Sequence, residues 1–240
     1  MLRTPLAAGV LVLALTGLSA CGGDTKDTPE ASGSPDVQLL TDDQAHQALI
    51  SASQMGQGFT GAEPTEDDSN TDMGCLNALD DLDKLGSETE AKIEFTSTSS
   101  SGLPTLENDV YSYPDSERIS SRIQDVVTAL EGCDKVDVTG EDGTRFLLDV
   151  SVDTDTTSDK ADEQVTLEAT GTVSQGKQHF PIALHMTSAR VDNNVTVVIF
   201  TDMPEDQASS SEQFDSYVTA ATDRLAAVVA GQTPSEDQLT

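Results

Sequence analysis

The chain has no tryptophan, and aromatic residues make up 4% of its 240 positions. That scarcity argues against a carbohydrate-stacking platform or a choline cage, both of which need aromatic faces. Cations are also scarce: 12 Lys and Arg stand against 43 Asp and Glu, a formal net charge of −31. Such a surface repels nucleic acid and anionic lipid headgroups, so neither is an expected partner. Solubility outside the cell accounts for the charge by itself. No apolar run reaches the roughly 20 residues of a spanning helix. Also missing are a G-x-S-x-G elbow, an H-E-x-x-H pair, a C-x-x-C pair and a phosphate-cradling glycine loop. Carboxylate pairs carry no information in a chain this acidic, because chance supplies many. No enzyme activity, cofactor or metal site is expected.

What is present begins at the N-terminus. Arg3 supplies a positive start, Leu6 to Leu18 is a short apolar run, and Leu18-Ser19-Ala20-Cys21 closes it with small residues and a cysteine. This is the three-part layout of an export signal ending in a lipobox, so residues 1–20 are expected to be removed and Cys21 to be lipidated. A cysteine thiol is the best nucleophile available for alkylation by a diacylglycerol donor. Two acyl chains anchor stably where one does not. The expected address is the extracytoplasmic face of the cell membrane. Residues 21–36 are rich in Gly, Asp, Thr, Ser, Glu and Pro and read as a flexible acidic tether.

With Cys21 committed to lipid, Cys75 and Cys133 remain, and in an exported protein they most economically form one disulfide. Two isolated cysteines without a nearby histidine make a poor metal site.

Order is predicted over 37–231. Thr41 and Gln44 form a capping box for a helix through Ala45, Ala48, Leu49 and Ala52 that runs to Met55-Gly56. A short helix is predicted from Cys75 to Leu85, then a strand at Ala91, Ile93 and Phe95, and another over 108–113. Ile119, Ile123, Val126, Val127 and Leu130 make the buried stripe of a long helix that Gly132 ends. Val136 and Val138, then Phe146 to Val152, read as strands. Three long strands follow as an antiparallel meander, turning at Gln175-Gly176 and at Asp192-Asn193-Asn194. In the first of them Val165, Leu167 and Ala169 face inward, and Thr166, Glu168 and Thr170 face water. A last helix starts near Ser210 and carries Phe214, Tyr217, Val218, Ala221, Leu225 and Val228 inward. Residues 232–240 read as a disordered tail. The predicted class is α+β: a twisted antiparallel β-sheet packed against two long amphipathic helices, with short N-terminal helices and one disulfide.

His46, on the first helix, is expected at the surface. His179 and His185 lie six residues apart on one strand, about 20 Å, too far to share a metal ion, and are expected on a polar face. Asp153 to Asp159 begins like a calcium loop, but Thr157, Ser158 and Gln164 stand where an acidic or amide residue, glycine and glutamate are needed. Asn194-Val195-Thr196 is a formal glycosylation triplet, better explained by the tolerance of asparagine for left-handed backbone in a turn.

Val110-Tyr111-Ser112-Tyr113-Pro114-Asp115-Ser116 leads into the long helix that ends on Cys133, and the meander contains Arg190-Val191-Asp192-Asn193-Asn194-Val195-Thr196-Val197-Val198. In these segments and in its order of elements, the chain resembles the PknH-like extracellular sensor domain family, which also occurs in actinobacterial lipoproteins. The family typically carries a second disulfide in the meander and a tryptophan near the end of the long helix. Residues 176–203 here hold no cysteine, and the chain holds no tryptophan. The resemblance implies a non-catalytic, cleft-bearing sensor or ligand-binding domain for an unidentified small-molecule or cell-envelope ligand. A lipid or glycolipid carrier of the LppX and LprG type is the alternative, and would need a large apolar cavity. A third reading is a docking lipoprotein whose acidic face meets a basic protein partner.

Overall fold

The computed structural model describes residues 39–64, 72–79, 86–140, 142–204 and 207–239. The expected signal, the expected lipidation site Cys21 and the expected tether lie outside the described residues. Helix α1 spans Asp42–Ala48 and opens on the predicted capping box, with the Thr41 hydroxyl accepting from the Gln44 backbone N–H and the Gln44 side chain accepting from the Thr41 N–H. The expected single helix to Met55 is instead two. Leu49 turns to extended backbone (φ −67°, ψ 150°), and a second helix α2, Ala52–Met55, restarts at Ser51. The break is stabilised from outside: the Ile50 N–H donates to the buried Asn108 side chain at 2.8 Å, a non-local bond that local periodicity cannot reveal.

Among the described residues eight strands form one antiparallel sheet. In chain order they are β1 (Phe59–Ala62), β2 (Thr89–Ser97), β3 (Thr105–Ser112), β4 (Lys135–Thr139), β5 (Arg145–Asp153), β6 (Glu163–Gln175), β7 (Gln178–Val191) and β8 (Asn194–Asp202). Their spatial order is β1-β2-β3-β8-β7-β6-β5-β4. The α+β class and the β6-β7-β8 meander are therefore as predicted. Gly176 (φ 64°) opens the first turn. In the second, Asp192 (φ 55°) takes the left-handed conformation, not the asparagine of the triplet. Asn194 is buried, which removes it from any glycosylation chemistry. Strand β1 had no sequence signal: four residues, two of them Gly61 and Ala62, carry no alternation.

Between β3 and β4 runs α3 (Ser116–Leu130), capped by Asp115, whose side chain accepts from the Glu117 and Arg118 N–H groups. The chain closes with α4 (Gln207–Val229). The two helices lie on opposite faces of the sheet. On β8, Val195 and Val197 pack with Ile119 and Ile123 of α3, while Val198 and Phe200 pack with Phe214 and Tyr217 of α4. Neighbouring strand positions point to opposite faces, so β3 and β8 are sandwiched between helical layers. The helices differ in character. α3 buries only apolar residues, whereas α4 also buries Ser210, Thr222 and Arg224. Helix α4 is thus not a clean amphipathic stripe.

Cys75 and Cys133 are disulfide-bonded, with Cα atoms 5.9 Å apart. The short helix predicted from Cys75 is a 3₁₀ helix, Gly74–Leu79; Leu82 and Leu85 lie outside the described residues. The Asp72 carboxylate accepts from the Gly74 N–H and the Asn77 amide, and Asn77 accepts from the Met73 N–H. This local side-chain network competes with regular helical bonding.

The expected disordered tail is docked across 232–239. Arg224, 6% exposed, donates through Nη1 to Gln54 Oε1, the Ser235 carbonyl and Glu236 Oε1 at 2.8–3.0 Å, and through Nη2 to the Gln47 carbonyl at 2.8 Å. The Leu239 N–H donates to the Gln54 carbonyl. A buried guanidinium needs a carboxylate and several acceptors, and the last residues supply the carboxylate and one carbonyl beside those of Gln47 and Gln54. Polar composition alone hid this.

Candidate ligand-binding cleft

The two segments that carry the family resemblance meet in space. Tyr113 and Asn193 exchange bonds at 2.9 Å, the Tyr113 N–H donating to the Asn193 carbonyl and the Asn193 amide donating to the Tyr113 carbonyl. Arg190 at the end of β7 lies 3.3 Å from both Asp162 and Glu163, and Glu163 accepts from Ser120 at 2.8 Å and Gln124 at 3.3 Å on α3. These contacts fix the N-terminal half of α3 against the sheet.

Beneath that half of α3 is a cavity of about 400 Å³. Its wall is apolar over most of its extent: Ile119 and Ile123 from α3, Val195, Val197 and Ile199 from β8, Leu184 and Met186 from β7, and Leu79 from the 3₁₀ helix. The disulfide holds that 3₁₀ helix to the C-terminal end of α3, so the two predicted cysteines frame the cavity without lining it. A void of about 20 Å³ shares Leu79, Ile123, Met186 and Ser188 with the cavity and continues it under α3.

One end is polar. Glu107, Asp109 and Tyr111 alternate along β3 toward the cavity, and Lys92 on β2 sits in register with Asp109. The Tyr111 hydroxyl donates to Asp109 Oδ2 at 2.8 Å. Lys92 Nζ is 3.8 Å from the same oxygen and 5.3 Å from the Tyr111 ring centroid, a cation–π placement. The Asp109 side chain is 7% exposed. Burial, and then the negative charge of Asp109, push the Glu107 carboxyl up to about 7, with Lys92 opposing. None of these four was expected as a site residue; Tyr111 was named only within the segment that carries the family resemblance. The signal was available in Glu107-Asn108-Asp109, three consecutive polar residues, two of them acidic, inside what proves to be a central strand.

The residues weighed for metals go elsewhere. His46 is exposed, its Nδ1 2.8 Å from the Asp42 carbonyl oxygen. His179 is exposed beside Ser174, but His185 is buried, contrary to the polar-face expectation. It stacks on Phe214 with ring centroids 5.1 Å apart, under α4, because that helix covers the β7 end of the face read as wet. In the 153–159 loop, Gln164 accepts from the backbone and hydroxyl of Thr157 and is not aimed at a cation. Among the described residues no group of three or more His, Cys, Asp or Glu could hold a metal ion. No helix among them is long and apolar enough to cross a membrane.

No protein-family model matches the chain, and no curated protein does. A solved structure does match: the extracellular domain of PknH from Mycobacterium tuberculosis, at 11% identity, covering 78% of this chain and 99% of that one with a TM-score of 0.55. The fold is PknH-like. A putative uncharacterized protein of Mycobacterium smegmatis, an Rv0999 ortholog, also matches, at 13% identity over 78% of this chain and 98% of that one, with a TM-score of 0.40. At 11% identity the likeness to the PknH domain shows the fold alone, and the cleft chemistry must be read from this chain's own residues.

Proposed function

We propose that this protein is a membrane-anchored extracytoplasmic lipoprotein, tethered through Cys21, whose PknH-like domain binds a small-molecule or cell-envelope ligand without transforming it. The cavity under α3 carries the reading. Its volume lies in the range of roughly 300–1,000 Å³ usual for small-molecule pockets, and it pairs apolar walls with a few convergent polar groups. The polar groups pair with one another, as in a recognition surface, and are backed by the rigid centre of the sheet. The 1–20 signal layout and the lipobox before Cys21 support the address.

The test is intact-mass and organic-extract spectrometry of the full chain purified from membranes. The expected result is one bound small molecule, lost when Ser188→Phe fills the cavity. Stoichiometric recovery of a two-chain lipid would replace this reading with the carrier alternative. A chain that neither retains nor takes up any small molecule at this cavity would remove both.

A further inference from the structure

The face of the sheet that α4 covers carries a second arrangement of recognition groups, centred on the buried Arg224. Gln47 and Gln54, on α1 and α2, supply two acceptors to its guanidinium, and Ser235 and Glu236 of the tail supply two more. The other Glu236 oxygen accepts from the Ser51 and Ser53 hydroxyls. Three positions later the Leu239 N–H donates to the Gln54 carbonyl, and the Leu239 side chain packs against the core cluster of Ile50, Met55 and Phe95. Between these two anchors Asp237 and Gln238 are exposed. The tail is seated as a bound peptide is, with one carboxylate clamped and one apolar side chain docked.

The tail does not fill the site. Beside the clamp lies a cavity of about 340 Å³ whose lining includes His46, Ile50, Ser51, Glu63, Ile93 and Arg224. Among the described residues, none of 232–239 lines it. Arg224 Nε, buried, has no hydrogen-bond partner among them either.

We propose that this clamp is a docking site for an acidic segment of a partner protein, a glutamate followed three positions later by leucine, which takes the place of the chain's own tail. The chemistry is that of a carboxylate receptor. A planar guanidinium fork and two hydroxyls converge on one carboxylate, and bonds of this charge-assisted kind are about twice as strong as neutral ones. The Ser51 and Ser53 hydroxyls, and then Arg224, hold the Glu236 carboxyl down at about 2, so the clamp selects an ionised acid over an amide. Release of the tail uncovers little apolar surface beyond Leu239, because 235–238 are already exposed. A partner segment repeats the tail's bonds and adds contacts in the cavity. A second copy's tail would leave that cavity as empty as the resident one does. The net charge of −31 slows the encounter with an acidic segment, while the desolvated contact at Arg224 sets how long the complex lasts.

The experiment uses the full chain and a labelled peptide, Gln-Thr-Pro-Ser-Glu-Asp-Gln-Leu-Thr, identical to 232–240. The resident tail competes at an effective concentration of roughly millimolar order. By fluorescence anisotropy the peptide is therefore expected to bind the double variant Glu236→Gln, Leu239→Ala about tenfold or more tighter than the parent. Glutamine in place of the peptide's glutamate should cost about tenfold, and so should Ser51→Ala with Ser53→Ala in the protein, checked for a parental melting curve. Should that pair fail to fold, the peptide substitution tests the same contact. Saturating peptide should shift the Leu239 methyl signals of the parent to those of a released tail. In a peptide pool varied everywhere except at the glutamate and the leucine, some members should outbind the tail sequence several-fold by filling the cavity. No binding to the double variant, equal binding by the glutamine peptide, or Leu239 signals that stay in place as peptide binds the parent would overturn the docking site. A pool in which nothing outbinds the tail sequence, or a parent dimer that the peptide dissociates, would make the occupant a second copy and overturn the partner assignment.

Discussion

Replacing Cys75 and Cys133 together by alanine removes the one covalent tie between the 3₁₀ helix and the end of α3, and its cost can be worked out. The bond spans a sequence separation of 58. In the chain-entropy treatment, opening a loop of that size returns about 4 kcal/mol of conformational freedom to the unfolded chain at 25 °C. The folded state offers little to replace it: of the 3₁₀ helix only Leu76 is fully buried, and its remaining bonds are local ones at the surface. For a domain near 200 residues, about 4 kcal/mol corresponds to a fall in Tm of roughly 8–16 °C. Urea titration followed by far-UV circular dichroism is the suitable assay, because without tryptophan the chain has little fluorescence change to follow. The slope should rise as well, since the unlinked denatured chain expands. A double variant within about 1 kcal/mol of the parent, with the same slope, would refute loop closure as the source of this stability.

Gly171→Ala should destabilise by about 1–3 kcal/mol, because an added Cβ would collide with the Leu147 carbonyl oxygen and lie 2.9 Å from Leu148 Cα, both backbone atoms. An unchanged melt would show that β5 moves aside freely. Glu236 is held down at about 2 from its ordinary 4.5, first by the Ser51 and Ser53 hydroxyls and then by Arg224. A depressed folded-state pKa contributes stability that is complete above about 4.5 and disappears as the pH falls toward 2. Because the Glu236 side chain is 55% exposed, solvent screening limits this to about 1 kcal/mol. Glu236→Gln should flatten that acid limb in urea titrations near pH 3 and pH 6, and an identical limb in the variant would count against the docked tail. Cys21→Ala should abolish the mature membrane-bound form, leaving precursor or released protein in cell fractionation; a mature, membrane-retained variant would show that lipid on Cys21 is not the anchor.

Local chemistry explains which elements were legible. The capping box at Thr41, the stripe from Ile119 to Leu130, the turns at Gly176 and Asp192 and the alternation of β5 to β7 all depend on neighbours within a few residues, and each appears in the structure near its expected position. The failures share the opposite property. Helix α1 stops because Asn108, 58 residues away, takes the Ile50 N–H. The tail is ordered because Arg224 is buried beneath it. His185 is buried because α4 returns over β7. None of these partners can be named from a window of sequence.

The cleft shows the same division. Composition and order determined that this chain would be an acidic α+β domain, and the N-terminal layout raised the expectation of lipid on Cys21 with Cys75 and Cys133 left to pair. The strand order β3-β8-β7, and the placement of α3 and α4 on opposite faces, came only with the tertiary structure. Together they turn Lys92, Glu107, Asp109 and Tyr111 from four residues among many into the polar end of one cavity. Periodicity says which side chains share a face, but strand pairing decides what that face meets, and pairing is settled by burial summed over the whole sheet.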